Sequence, residues 1–417
     1  MITLHTLKNG IRVIMEPMEQ FRSVAIGVWV NTGSVREGTD EAGASHFIEH
    51  MVFKGTERRS TEQIAIEMDA IGGNLNAFTS KECTCFYAKV LDEQLPQTVD
   101  LLSDIVLHST FDETELKKES GVIIEEILMT EDTPEDLAAE ENTALFYGGD
   151  PLGRPILGTK ASVSSFTREK LLNYRSKHYI PKNIVISCAG SFAREKLIEM
   201  LEAAFDLADD PREAEPLENA FPGGKRVRFI EKDIEQMNIS MTLPGFARRD
   251  QYPLAVLSNI IGGGTSSRLF QKIREQRGLA YSIYSYPISY TSSGTFSIYA
   301  GTGEQQAVEV TELILEELSE IRRNGIREDE LIRCREQLKS AYLLGVEGTS
   351  AQMNVLGKEL LLQKREYCAE DVLHRIECVT MQDIDGILPK CLNPDNLCTV
   401  FVGRGGRVKS ALNALVG

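Results

Sequence analysis

The 417-residue chain carries part of its sequence twice. The stretch IRVIMEPMEQ (11–20) matches VRFIEKDIEQ (227–236) at an offset of 216, and DETEL (112–116) resembles REDEL (327–331) at an offset of 215. Phe166-Thr167, Pro181, Asn183 and Gly190 match Val379-Thr380, Pro394, Asn396 and Gly403 at an offset of 213. Three segments in one order at a nearly constant offset indicate a duplicated half. A chain of this length is too long for one ordinary core, and two domains of about 200 residues suit it. The predicted division is an N-terminal half (1–205), a linker (206–226) and a C-terminal half (227–417). The linker is acidic and holds Pro211, Pro216 and Pro222-Gly223-Gly224.

Each half alternates strands with helices. Residues 2–17 and 22–31 read as strands, the first a strand–turn–strand pattern through TLKNGIRVI. Segments 74–80 and 85–90 form two more, joined by a polar turn, and 184–190 reads as a buried strand. Helices are predicted at 60–71, opened by the capping box Ser60/Gln63 and ended by Gly72-Gly73, and near 93–107, 112–130, 167–178 and 193–205. An acidic segment (131–141) leads to a Gly/Pro-rich loop (148–158). The pattern fits an α+β fold, each half a mostly antiparallel sheet with helices packed on one face.

Composition narrows the functional classes. Hydrophobic residues at 42% and charged residues at 26% are those of a soluble globular protein. No apolar run approaches the ~18–20 residues needed to span a bilayer, and the N-terminus has neither a basic n-region nor an apolar h-region, which predicts a cytoplasmic protein. A net charge of −17 argues against nucleic acid or an anionic membrane as a partner. The eight cysteines contain no C-x-x-C pair and read as reduced thiols.

Chemistry concentrates in HFIEH (46–50). His46 and His50 at i and i+4 share one face of a helix, close enough for both imidazoles to reach one metal ion. Phe47, Ile48, Met51 and Val52 form the apolar stripe behind them, and Lys54-Gly55-Thr56 supplies a cation and a glycine at the helix end. Zinc hydrolases usually take a third protein ligand. His5, His108, His178 and His374 are isolated. Glu119 and Glu126, seven residues apart, lie on nearly one face of the helix 112–130, so one can ligate while the other supports it from behind. Glu125 sits about 100° away and faces solvent. The repeat shows which half kept the chemistry: position 46 shifted by 216 falls in IIGGGT, and Glu119 and Glu126 become Cys334 and Ala341. Gly262-Gly263-Gly264 lacks the Lys-Ser/Thr of a phosphate loop and reads as a helix end.

HFIEHMVFKGT followed by Glu126 resembles the inverzincin, pitrilysin-type metallopeptidases, whose H-x-x-E-H inverts the commoner order. The subgroup it looks most like is that of the mitochondrial processing peptidase β-subunit and its bacterial relatives. GGNLNAFTSKECTCFYAKV (72–90), VIIEE (122–126) and GGGTSSRLFQKIREQRGLAY (262–281) carry the likeness, which covers essentially the whole chain. The resemblance implies one Zn²⁺ per chain on His46, His50 and Glu126, with Glu49 as general base and Glu119 orienting ligands or water. It implies that Arg274 and Tyr281 reach the bound peptide; read alone, they are a surface charge and a core aromatic.

The same resemblance implies that an unfolded peptide adds as a strand along Asn76, Ala77 and Phe78, provided 74–80 is a sheet edge. It implies a homodimer of clamshell chains enclosing a chamber. Two alternatives stand beside general peptide cleavage. One is a non-catalytic structural or binding subunit of the same fold, the other a peptidase dedicated to one precursor. The carboxylates of 131–141 suggest a preference for basic substrates.

Overall fold

Alternating apolar residues and turn glycines divide the chain into short strands, and the computed structural model, which describes residues 1–219 and 221–417, pairs them. Strands β1 (Thr3–Thr6), β2 (Arg12–Pro17), β3 (Ser23–Val30), β4 (Asn74–Thr79), β5 (Thr84–Leu91) and β6 (Ile184–Gly190) form a sheet ordered β1-β2-β6-β3-β5-β4. All its pairs are antiparallel except β2 with β6. Strands β7 (Arg226–Glu231), β8 (Gln236–Pro244), β9 (Ala280–Ser289), β10 (Gly294–Gly303) and β11 (Cys398–Gly403) form a second sheet ordered β7-β11-β8-β10-β9, with β7 and β11 parallel. The repeated segments 11–20 and 227–236 thus supply β2 and β7, each beside a parallel partner. The duplication is one of topology as well as of sequence.

Helices of the N-terminal half are α1 (Ala44–Met51), α2 (Thr61–Ile71), α3 (Leu95–His108), α4 (Glu113–Asp132), α5 (Pro134–Tyr147), α6 (Lys160–Ser164), α7 (Arg168–His178) and α8 (Arg194–Ala204). Those of the C-terminal half are α9 (Tyr252–Gly262), α10 (Ala307–Asn324), α11 (Glu328–Gly345), α12 (Thr349–Gln363), α13 (Ala369–Glu377), α14 (Met381–Cys391) and α15 (Lys409–Val416). Ser60 and Gln63 close the expected capping box on α2, and Gly72 ends that helix in the left-handed region at φ +66°. Asp112 caps α4 by accepting from the N–H groups of Thr114 and Glu115, but the Glu115 side chain pairs with Lys118 instead of returning to the cap. Among the described residues no helix is long and apolar enough to cross a membrane. All eight cysteines are free of disulfides.

The chain forms two compact units that exchange segments relative to the sequence halves. The first comprises Met1–Ile127, Arg154–Pro216 and Leu343–Tyr367, the second Leu128–Gly153, Leu217–Tyr342 and Cys368–Gly417. The expected linker 206–226 includes residue 220, which lies outside the described residues. On the first unit's side the linker is tied down, with Ala214 N–H donating to Asn183 Oδ1 at 2.9 Å.

In the first unit, Val24, Ile26, Val28 and Val30 of β3 face a core shared with Phe47 and Ile48 of α1, Leu101 and Ile105 of α3, and Ile123 of α4. The opposite face is not left open. Helix α12, from the C-terminal half of the sequence, packs against β3 and β6 there. It comes close because two glycines remove side chains from the contact. A methyl on Gly357 would lie 2.1 Å from Trp29 Nε1, and one on Gly27 would lie 2.5 Å from Met353 Sδ. Trp29, buried there, donates to Ser187 Oγ at 2.8 Å.

The second unit uses the mirror of this exchange. Residues 131–141 do not lead straight into a loop; most of them belong to α5, which packs on β8 and β11. Leu137 and Ala138 meet Val400 and Val402, and Asn142 Nδ2 donates to Ser240 O at 2.7 Å. Several of the acidic side chains are engaged in this docking. Asp132 pairs with Lys232 at 3.4 Å, Glu141 pairs with Arg228, and Glu135 accepts from Tyr284. These pairs tie the segment to the second sheet and the chain just beyond β7.

Helix α1 has only two turns, too few to hold its own position in water. Its N-terminus is held by Glu37, a buried carboxylate whose Oε2 accepts from Gly43 N–H at 2.7 Å and whose Oε1 accepts from Ser45 N–H at 2.8 Å. The Ser45 hydroxyl meets Tyr174 Oη at 2.8 Å, and Tyr174 also meets Thr32 Oγ1 at 2.8 Å. Burial pushes the Glu37 carboxyl up to about 7 against the ordinary 4.5, the two N–H bonds only partly offsetting the loss of water.

Two measurements check these contacts. Gly357→Ala forces a methyl into the Trp29 ring, and the denaturant midpoint should fall by the equivalent of about 1–3 kcal/mol. For Glu37 the folded state takes up its proton more readily than the unfolded chain. Its contribution is therefore complete below the unfolded value of 4.5 and is lost as pH rises through about 7. The stability of wild type relative to Glu37→Gln should improve by roughly 2–4 kcal/mol between about pH 8 and about pH 4.5. A pH-independent difference between the two proteins would contradict the account of Glu37.

Candidate metal centre

Two helices and one strand of the first unit build the site. Helix α1 turns its apolar stripe inward, with Phe47, Ile48, Met51 and Val52 fully buried, and presents His46, Glu49 and His50 from the other side. Helix α4 buries Leu116, Ile123 and Ile127 and sets Glu119 and Glu126 on the face toward α1. Glu125 is exposed, as its position around the helix predicts. The chain beyond α1 turns at Gly55, whose φ of +109° favours glycine.

His46 Nε2 and His50 Nε2 each lie 3.6 Å from Glu126 Oε2, and the two imidazole centroids are 4.7 Å apart. One ligand atom from each of the three residues falls within 4.8 Å of the others. A separation of 3.6 Å is too long for a hydrogen bond. It is close to the ~3.3–3.4 Å expected between atoms bound at ~2.0–2.1 Å around a tetrahedral zinc. Two imidazoles and a carboxylate are also the donor set that zinc takes in hydrolases. The residues present therefore fit the ion.

The surroundings prepare these groups for it. Burial, with His50 adding in the same direction, holds the His46 imidazole down to about 3, so it is neutral and able to donate a lone pair near neutral pH. His50 Nδ1 faces Glu119 Oε2 at 3.0 Å, which leaves its Nε2 toward Glu126. This is the carboxylate–histidine arrangement that orients a metal ligand from behind. The other oxygen of Glu119 meets Lys54 Nζ at 2.7 Å. His46 Nδ1 is buried and has no hydrogen-bond partner among the described residues. The Glu126 side chain is 37% exposed, so the cluster is open to solvent on that side.

Glu49 lies beside the cluster. Burial pushes its carboxyl above the ordinary range and Glu126 pushes the same way, while the Thr79 hydroxyl and His50 oppose them. Thr79 Oγ1 donates to Glu49 Oε2 at 2.5 Å. Thr79 belongs to β4, which is the edge strand of its sheet. Along β4 the side chains alternate. Leu75 and Ala77 pack on the core beneath α1, and Phe78 turns to the other face, edge-on to Trp29 at 5.7 Å and near Tyr87 at 6.1 Å. Asn76 is exposed and its Oδ1 accepts from Ala77 N–H at 2.8 Å.

Arg274 and Tyr281 belong to the second unit. Arg274 lies in a π-helical turn (Phe270–Glu275), where its guanidinium is 4.9 Å from the Phe270 ring and 5.2 Å from the Tyr281 ring. Tyr281 is not a core aromatic. It sits on β9, an edge strand of that unit's sheet, with 77% of its surface exposed. Gly262 ends α9, so the glycine run is a helix end.

Three residues of the site have no assignment from sequence. Thr79 is legible only as a strand residue, although its spacing of two from Ala77 puts it on the α1 face. Lys54 reads as a helix-end cation, and it contacts Glu119 instead. Glu37 carries no local signal, because its partners Gly43 and Ser45 lie beyond an intervening 3-10 turn (Thr39–Glu41).

Comparison with known proteins bears on this site. Residues 12–160 match the insulinase (peptidase family M16) domain, and residues 165–338 match the peptidase M16 inactive domain. An uncharacterized zinc protease of Bacillus subtilis (strain 168) is 42% identical over 398 residues, covering 95% of this chain and 97% of its own. One from Streptomyces coelicolor is 38% identical over 392 residues, covering 92% of this chain and 85% of its own. Two solved structures share the fold. A peptidase M16 inactive domain from Pseudomonas fluorescens superposes with a TM-score of 0.89 at 20% identity, covering 97% of this chain and 98% of that one. A protease from Helicobacter pylori gives 0.87 at 22%, covering 96% and 99%. With two family domains placed in order along it, and a relative of this identity over nearly its whole length, the chain belongs to the peptidase M16 family.

Proposed function

We propose that the protein is a zinc-dependent endopeptidase that hydrolyses unfolded peptides or precursor segments. The observation that carries this reading is the cluster of His46, His50 and Glu126 with Glu49 beside it, in a family whose relatives are named zinc proteases. His46, His50 and Glu126 would hold one Zn²⁺ per chain. Bound there, zinc polarises a peptide carbonyl and makes water a nucleophile near neutral pH. Glu49, its carboxyl raised by burial, takes the proton from the attacking water and passes it to the leaving amine. Thr79 holds the carboxylate of Glu49 in place, and Glu119 holds His50. Arg274 and Tyr281 would steady the substrate carbonyl or the developing oxyanion.

The substrate would lie along β4 as an added strand, paired through backbone groups near Asn76, Ala77 and Phe78. The edge position of β4 and its hydrogen bond to Glu49 support this placement. Backbone pairing needs an extended chain, hence the preference for unfolded peptides. A homodimer enclosing a chamber, with neither nucleic acid nor membrane as a partner, completes the proposal. A cytoplasmic location goes with it, supported by eight free thiols.

A set of unfolded peptides incubated with zinc-loaded protein, followed by mass spectrometry, tests the reading. Wild type should bind one zinc per chain and release fragments. Glu49→Gln should keep the zinc and cut about 10²–10⁴-fold more slowly. Zinc bound without fragments, in wild type, would favour the non-catalytic subunit. Equal cutting by both proteins would remove Glu49 from the mechanism.

A further inference from the structure

We propose that Lys54 is a positioning residue of the metal centre, acting through Glu119 to fix His50. The inference rests on the zinc reading above and deepens it. Neither the motif nor the repeat assigns Lys54 such a part.

The geometry is a closed ring. Its first side is covalent: His50 leads along the chain to Lys54, and the turn between them is held by Lys54 N–H donating to Met51 O at 3.1 Å and Phe53 N–H donating to His50 O at 3.3 Å. Ser109 Oγ donates to Met51 O at 2.9 Å, which ties the same turn to the end of α3. The second side runs from Lys54 Nζ to Glu119 Oε1 at 2.7 Å. The third returns from Glu119 Oε2 to His50 Nδ1 at 3.0 Å. Both oxygens of one carboxylate are thus committed, one to each end of the same short stretch, 50–54.

That division of labour explains why Glu119 can position anything. Its side chain is only 6% exposed, so water offers little to hold an oxygen that loses its partner. A carboxylate with one occupied oxygen can rotate about its last bond, and both oxygens then compete for His50. The Lys54 ammonium removes that freedom and leaves one oxygen facing Nδ1. His50 is then fixed with Nε2 toward Glu126, the orientation the ion requires. Glu119 and Glu126 share α4, so the same contact also sets how α4 stands against α1 at the ligands.

A purely structural Lys54, serving only as a cation near the end of α1, makes a different prediction from one that works through Glu119. The test measures zinc affinity by chelator competition for Lys54→Met, Lys54→Arg, Glu119→Gln and the double variant Lys54→Met/Glu119→Gln, with circular dichroism and the apo-protein midpoint as folding controls. Lys54→Met should weaken zinc binding by about 10–100-fold, the range for losing an outer support of a metal ligand. Lys54→Arg should recover most of that loss. Once Glu119 is changed there is little left for Lys54 to act through, so the double variant should bind about as Glu119→Gln does. Zinc affinity unchanged in Lys54→Met, or losses that multiply in the double variant, would overturn the proposal. If Lys54→Met does not fold, Lys54→Gln takes its place with the same expectations. Wild type without stoichiometric zinc would instead sink the zinc reading itself, so the two failures are distinguishable.

Discussion

The cluster of His46, His50 and Glu126 hangs on a helix of two turns. So short a helix cannot sustain itself in water, since nucleation costs more than its few hydrogen bonds offset. Helix α1 therefore takes its place from what surrounds it. Its apolar stripe is buried in the first unit's core. Its first turn hangs from the Glu37 carboxylate and, through Ser45, from Tyr174. Its end is pinned by Ser109 and, through Lys54, by Glu119. Two carboxylates thus bracket the helix, one at each end, and neither belongs to the His46, His50 and Glu126 cluster. The arrangement costs buried charge, visible in the raised Glu37 carboxyl.

The duplication shows that the scaffold does not require the cluster. With β1 set aside, both sheets have the same order of equivalent strands and the same parallel pair. Yet the position equivalent to His46 is Gly262 at the end of α9, and that of Glu119 is Cys334, a buried thiol in the core of the second unit. A carboxylate held by a lysine and a histidine in one copy is matched by an apolar contact in the other. The fold tolerates either, because the strands and the inward faces of the helices supply the burial that holds each unit together.

What is legible in the sequence follows the short periods. His46, Glu49 and His50 on one face, Glu119 and Glu126 on another, the capping box of α2 and the strand at 74–79 all follow from short regular spacings. What escapes depends on partners far along the chain. Helix α5 is hidden among carboxylates because its apolar contacts, Val400 and Val402, lie in a distant part of the sequence. Helix α12 covers β3 through Gly357 and Trp29, which no local pattern connects. Lys54 is visible as a charge but its partner is not, since an ion pair between the turn after α1 and a helix far along the chain leaves no trace in a local period.

Strand β4 joins two properties that the proposed substrate edge needs. Among the described residues no strand pairs with its outer side, and its inward Thr79 reaches Glu49. The pairing of Asn76 with Tyr87 and Thr79 with Thr84 on β5 sets the alternation. Ala77 and Thr79 turn to α1, and Phe78 turns to Trp29. A slip of one residue would exchange these faces, driving the Phe78 ring toward Glu49 and withdrawing the Thr79 hydroxyl. The register of one hairpin therefore places both the free backbone edge and the hydroxyl that holds Glu49. Trp29 and Phe78 secure that register from the face opposite the site, where Gly357 lets α12 press against the indole. Gly357 touches none of the chemistry, yet the packing it permits keeps β3, β5 and β4 in step beneath it.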